Sequence, residues 1–217
     1  MVKKNIVSFD LDGTLADTTF TSLVWEVGIP KLYADKYGLE LAKATSLVTS
    51  EYEKIGDSSL KWYDIAYWFD FFDLPGDWEG LLEEHRDKTR PFPEVKEVIE
   101  AVGQHFDLII TSNAAREFVE IELEEMGIAD YFTRIFSVTS DFGMVKKTRH
   151  CYEQICSTMK IRPANTIHVG DHFEFDYLVP KSLGIQAYFL DRDGKRPKER
   201  SSVRNLMQFA DLISPAI

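Results

Sequence analysis

Two aspartates stand one residue apart in Ser8-Phe9-Asp10-Leu11-Asp12-Gly13-Thr14, directly after the apolar pair Ile6-Val7. Like charges this close repel, and taking them out of water is costly unless a cation or a proton intervenes. Three other places carry groups of matching chemistry. Ser112-Asn113 follows the apolar run Leu108-Ile109-Ile110-Thr111, Lys146-Lys147 precedes a helical pattern, and Gly170-Asp171 ends another apolar run with Asp176 shortly after it. Each has an ordinary explanation by itself: a helix cap, a solvated lysine pair, a turn. Brought to one place they describe a phosphate-and-magnesium site. Magnesium takes oxygen ligands, commonly one or two carboxylates with water and substrate phosphate, and the side chains of Asp10 and Asp171 supply such oxygens. A helix starting after Ser112-Asn113 would turn N–H groups toward an anion, and a lysine would add a point charge for phosphate.

The elements needed to bring them together are legible. Asn5 to Phe9 reads as a short buried strand, and strands follow at 107–111, 134–138, 166–169 and 186–190, with Ala-Asp-Leu-Ile (210–213) as a last short one. Helical spacing covers 95–102, 114–126 with Gly127 as its C-cap, and 148–160. Alternation of this kind predicts an α/β fold: a Rossmann-like parallel sheet core with helices on both faces. Residues 191–205 read as a polar loop. The texture differs from 18 to 90. All four tryptophans lie there with the run Ala66-Tyr67-Trp68-Phe69-Asp70-Phe71-Phe72, acidic residues outnumber basic ones, and stretches such as 40–55 have helical spacing. The organisation expected is a core of 1–17 and 91–217 with an α-helical cap domain, 18–90, inserted after the first strand. Aromatic density in so small a helical segment is first a means of building its own core. In open parallel sheets, ligands bind at the carboxyl ends of the strands, where the polar groups above fall.

The whole chain narrows the choice of partners. Its 217 residues carry a net charge of −11, which argues against nucleic acid and anionic membranes and leaves a small anionic substrate, a phosphorylated metabolite, held by local positive charge. No run approaches the length of a membrane span, and Met1 to Asp10 has neither a long apolar region nor a cleavage site. The two cysteines, Cys151 and Cys156, lack the spacing of a redox or zinc pair, and Cys156 shares a helical apolar face with Tyr152, Ile155 and Met159. The expectation is a cytoplasmic protein with reduced thiols, monomer or homodimer.

The order Asp10-Leu11-Asp12-Gly13-Thr14, then Thr111-Ser112-Asn113, then Val145-Lys146-Lys147, then Gly170-Asp171 to Asp176 resembles the haloacid dehalogenase superfamily, in its phosphoglycolate-phosphatase-like subgroup with a helical cap after the first strand. The resemblance implies a magnesium-dependent phosphatase acting on a small phosphate monoester. Asp10 would be the nucleophile that forms an aspartyl-phosphate, and Asp12 the general acid and then the general base. Magnesium would be held by Asp10, the Asp12 backbone carbonyl and Asp171. Ser112 and Asn113, with Gly13 and Thr14, would bind the phosphoryl group, a lysine would neutralise charge, and Asp176 would support the metal shell or orient that lysine. Family members often carry lysine followed by proline at the lysine motif. The distance to Asp171 favours Lys146, with Lys147 in the proline's place. His168 and His172 read as structural or peripheral, because magnesium prefers oxygen. Asp12 argues against dehalogenation, which has no leaving alcohol to protonate. A phosphonatase would need a cap lysine, and none of Lys31, Lys36, Lys43, Lys54 and Lys61 stands out. A sugar-phosphate mutase and, from a different class, a non-catalytic phosphoacceptor or scaffold are the alternatives.

Overall fold

Ile6-Val7-Ser8-Phe9 is buried along its whole length, as a strand covered on both faces must be, and it forms β1 (Ile6–Phe9) inside a six-stranded sheet. The computed structural model describes residues 5–194 and 201–213. The other strands are β2 (Asp107–Ser112), β3 (Phe132–Ser137), β4 (Thr166–Gly170), β5 (Gln186–Leu190) and β6 (Ser202–Val203). Their order is β3-β2-β1-β4-β5-β6 and every pair is parallel. Phe9 lies level with Ile110 of β2 and Val169 of β4, so Asp10 leaves the sheet between Thr111 and Gly170. The Asp10 amide still donates to the Val169 carbonyl at 3.0 Å, which holds that exit in place.

Alternating side chains feed two faces. Val7 and Phe9 pack with Val98, Ile99 and Val102 of the Val95–Gly103 helix and with Leu206 and Phe209 of the Leu206–Ile213 helix. Phe9 meets Phe209 edge-on at 5.7 Å between centroids. Ile6 faces the other way, with Ile109, Phe136, Cys151 and Ile155. Cys151 and Cys156 are both buried in the core and are not joined in a disulfide.

The chain divides into two compact units, Met1–Asp17 with Pro91–Ile217, and Thr18–Arg90. The second is helical throughout. A π-helical turn, Leu23–Gly28, joins Thr19–Ser22 to Ile29–Tyr37, and the helices Leu41–Ile55, Ile65–Phe71 and Trp78–His85 follow. Its aromatics are its core: Trp68 is fully buried, with its ring 4.6 Å from that of Tyr52 and stacked on Phe72 at 5.4 Å. No helix among the described residues is long and apolar enough to cross a membrane.

Three local expectations are corrected. Ala-Asp-Leu-Ile belongs to the Leu206–Ile213 helix, whose apolar residues Leu206, Phe209 and Ile213 keep helical spacing and whose start is capped by Asn205 on the Gln208 amide at 2.9 Å. The stretch read as a polar loop contains β6, only two residues long, which pairs with β5 and buries Val203 in the core (residues 195–200 of that stretch lie outside the described residues). The helix expected from Ala114 begins at Arg116, so the turn after Ser112-Asn113, and not a helix terminus, stands at that strand end.

One buried group conflicts with its surroundings. Glu122 of the Arg116–Glu125 helix is fully buried, and neither carboxyl oxygen has a hydrogen-bond partner among the described residues. Burial, then the charges of Asp12, Asp17 and Asp10, push its proton affinity well above the ordinary value of 4.5. A carboxyl with a raised pKa in the folded state favours folding below the unfolded pKa, and that contribution is lost as pH rises through the folded value. Glu122→Gln is therefore expected to match wild type near pH 4.5 and to exceed it by about 1–3 kcal/mol at alkaline pH, the cost of an ionised and unpaired buried group. Thermal denaturation in chelator across that range checks this, and parallel curves for the two proteins would contradict it.

Candidate active site

The crowded strand end is built from β1, β2 and β4 with one loop beyond β3. Asp10 follows β1, and the chain then turns sharply: the Leu11 carbonyl accepts from the amides of Thr14, Leu15 and Ala16 at 2.8–3.2 Å. Gly13 adopts a positive φ of 74°, and a Cβ there would fall 2.2 Å from the Asp171 carboxylate. Glycine is thus required twice over, by conformation and by space. Gly170 plays the same part for Asp176, whose carboxyl carbon would lie 2.5 Å from a Cβ at that position. The π-helical turn Phe173–Leu178 after β4 carries Asp176 inward, and Asp176 accepts from the His172 amide at 3.0 Å. Carboxylate oxygens of Asp10, Asp171 and Asp176 come within 4.8 Å of one another.

Lys147 lies among these acids. Its Nζ is 2.7 Å from Asp10 and 2.5 Å from Asp176, it reaches the Thr111 carbonyl at 3.4 Å, and the side chain is 2% exposed. The expectation that Lys146 takes this place is corrected: Lys146 sets its ammonium over the Phe175 ring at 5.7 Å. Thr148 caps Arg149–Thr158 from directly beside Lys147, and its amide bonds back to the Lys146 carbonyl at 2.8 Å. The lysine next to the cap is the one turned inward.

His168 is structural, as read from the sequence, but not peripheral. It is fully buried on β4, level with Ser8 of β1. Its Nε2 faces Asp176 at 3.1 Å and its Nδ1 faces the Ser8 hydroxyl at 2.9 Å. Asp176, held ionised beside Lys147, only accepts, so the network assigns the His168 proton to Nε2 and makes Ser8 the donor to Nδ1. Ser8 in turn accepts from Thr111 at 2.9 Å, and Thr111 lends its carbonyl to Lys147. The hydrogen bonds close a circuit under Asp10. The Tyr152 hydroxyl braces it, 3.1 Å from His168 Nε2 and donating to the Phe175 carbonyl at 2.8 Å. Sequence reading missed Ser8, Thr111 and Tyr152. Their available signal was polarity inside otherwise apolar strands and helix faces.

The proton affinities follow from this arrangement. Burial, then Asp176, raises Asp10 well above the carboxylate range against the pull of Lys147, and Asp171 adds to the rise. Asp171 itself is raised by burial and by Asp176. Burial alone would raise Asp176 too, but Lys147 and His168 outweigh it and hold it below the usual value. Lys147 is kept charged by Asp10 and Asp176 although burial opposes it, and burial lowers His168. One ammonium against three carboxylates leaves the strand end short of positive charge. An all-oxygen donor set with that deficit fits a hard divalent cation, with Asp10 and Asp171 as its carboxylates because Asp176 is already engaged by Lys147 and His168.

The remaining expected residues are at the same edge. Ser112 ends β2 and its hydroxyl accepts from the Ala114 amide at 3.1 Å. Asn113 follows it, and its side-chain oxygen is buried with no hydrogen-bond partner among the described residues. Thr14 is fully buried with its hydroxyl likewise unpartnered. Asp12 leads into the turn beside Asp10, within electrostatic reach of Glu122.

Comparison with known proteins points the same way. A profile of the haloacid dehalogenase-like hydrolases matches residues 4–184. The GMP/IMP nucleotidase YrfG of Escherichia coli (strain K12) is 25% identical over 171 residues, 76% of this chain and 73% of that protein. The phosphoglycolate phosphatase of Vibrio vulnificus (strain YJ016) is 25% identical over 204 residues, 85% of this chain and 82% of that protein. In fold, the crystal structure of a HAD phosphatase from Thermococcus onnurineus superposes with a TM-score of 0.83 at 23% identity, covering 96% of this chain and 97% of that one. With a parallel sheet in this order, four acidic, hydroxyl and lysine motifs at its carboxyl edge, and a family match over most of its length, the chain belongs to the haloacid dehalogenase-like hydrolases.

Proposed function

We propose that this hydrolase is a magnesium-dependent phosphatase for a small phosphate monoester, working through an aspartyl-phosphate on Asp10. The observation that carries the reading is the Lys147 ammonium fixed between Asp10 and Asp176, with Asp171 across from them. A carboxylate nucleophile must approach an anionic phosphoryl group, and fixed positive charge at the point of approach is what makes that possible. The relatives support the substrate class, since one is named for nucleotides and another for phosphoglycolate.

In the first half-reaction an Asp10 oxygen attacks phosphorus, the bond from phosphorus to the leaving oxygen breaks, and Asp12 gives that oxygen its proton. In the second, Asp12 takes a proton from water, the water oxygen attacks phosphorus, and Asp10 is released as carboxylate. Lys147 offsets the charge that gathers between Asp10 and the phosphoryl oxygens. Ser112 and Asn113 orient the phosphoryl group from the end of β2. Asp10, Asp171 and the Asp12 backbone would hold magnesium, which when bound supplies positive charge to the nucleophile and the phosphoryl group. Asp176 orients Lys147. The unit Thr18–Arg90 is the inserted helical cap domain of this reading.

Two outcomes are expected. Purified protein should release phosphate from p-nitrophenyl phosphate and from a panel containing IMP, GMP and phosphoglycolate, only with magnesium, and Asp10→Asn should lower kcat by at least ~10³-fold. No release from any ester by a folded, magnesium-binding protein would overturn the reading. Lys147→Met should lower kcat by roughly 10²–10³-fold, and Lys146→Met by no more than a few-fold. Steady-state kinetics on variants shown by circular dichroism to be folded decides between the two lysines. A larger loss at Lys146 would reverse the assignment.

A further inference from the structure

Gly13 and Thr14 present their carbonyls away from the inside of the turn, and both are taken by one side chain from the far end of the sequence. Arg192, just past β5, donates from Nη2 to the Thr14 carbonyl at 2.7 Å and from Nε to the Gly13 carbonyl at 3.3 Å. Its Nη1 donates to Glu94 at 2.7 Å, and its guanidinium lies over the Phe92 ring, 3.5 Å from the centroid. All three nitrogens and one face of the group are therefore engaged. Glu94 is held in turn by the Leu206 amide at 3.3 Å. The loop that offers Arg192 is itself fixed, because the Asp191 amide bonds the Val203 carbonyl at 2.9 Å and the Gly194 amide bonds Asp191.

We propose that Arg192 is a positioning residue for the phosphoryl-transfer loop, locking the peptide planes that follow Asp12. The proposal rests on the reading of Asp10 and Asp12 as the reacting pair. Inside the turn the amides of Gly13, Thr14, Leu15 and Ala16 are satisfied locally by the carbonyls of Leu11 and Ala16. Nothing local satisfies the carbonyls of Gly13 and Thr14, and a peptide plane with a free carbonyl rotates toward water. Rotation at Gly13 would disturb Asp12 on one side and, on the other, the Asp171 carboxylate that packs into the space of the missing Cβ. Lysine cannot replace the group, since a planar fork with several fixed donors is needed to hold two carbonyls and a carboxylate at once. The same clasp joins the two places where the core chain is interrupted. The Phe92 amide bonds the Leu15 carbonyl at 3.0 Å and Ala16 bridges Pro91, so Arg192 holds both sides of the insertion point within the core.

The test is Arg192→Ala and Arg192→Lys in the full chain, read by steady-state kinetics with p-nitrophenyl phosphate and by amide hydrogen exchange. The expected result is kcat lower by about 10–100-fold in both, the scale of a small misplacement of reacting groups, with KM changed less than about threefold on that same account. Exchange should accelerate in residues 11–16 and not in β2 or β3. Guanidinium chloride at low millimolar concentration should restore part of kcat in Arg192→Ala, while sodium chloride at equal concentration should not. Wild-type kcat with unchanged exchange would overturn the proposal, as would uniform acceleration of exchange across the core with no guanidinium rescue. If wild-type protein hydrolyses no ester, the function is wrong, and the exchange comparison still decides whether Arg192 holds the loop.

Discussion

The ammonium of Lys147, buried between Asp10 and Asp176, is the contact on which the rest of the structure depends. A parallel sheet brings the ends of β1 and β4 side by side, and this sequence places an acid at each end. Without an internal cation such an edge would repel itself and take up protons. With one, Asp176 stays ionised and acts as an anchor, while Asp10 remains the group with unmet demand for positive charge. A buried ion pair is weak evidence for stability, because desolvation offsets much of the attraction. Its value here is in fixing which carboxylate is engaged and which is available.

The fold provides for this from beneath. Strand order reverses between β1 and β4, so the crevice at their carboxyl ends is the switch point where open α/β sheets bind ligands. Below it the interior is polar where an apolar strand core would be expected. Ser8, Thr111 and His168 run across three adjacent strands and join Asp176 and Lys147 in one hydrogen-bonded circuit. Every member has a partner, which is the condition under which buried polar groups make a site rigid. Glu122 is the contrast, a buried carboxyl near the same acids with no such partner among the described residues.

The legible part of the sequence was the part with local signatures. Short apolar runs pointed to the five longer strands, β3 starting two residues earlier than expected, and the acidic, hydroxyl and lysine motifs pointed to the residues at their ends. What escaped was set by partners far along the chain. Ser8 and His168 look ordinary until register puts them level, 160 residues apart in sequence. Lys146 and Lys147 are chemically identical, and Lys147 is singled out by Asp10, Asp176 and Thr111, none of them near it in sequence. Arg192 stood in a stretch that read as a polar loop, with nothing nearby to reveal that its targets are Gly13, Thr14 and Glu94. Ala-Asp-Leu-Ile looked like a strand because four residues do not separate a helical period from an extended one.

The central claim is that Asp10 itself carries the phosphoryl group. The direct measurement is acid-quenched mass spectrometry of Asp12→Asn after mixing with magnesium and p-nitrophenyl phosphate, whose leaving group needs no protonation. The account predicts one phosphoryl group per chain, on the peptide that contains β1, lost on hydroxylamine treatment and absent when Asp10 is also replaced by Asn. A phosphoryl group on any other residue, or steady turnover by the wild type with none trapped on Asp12→Asn, would contradict it.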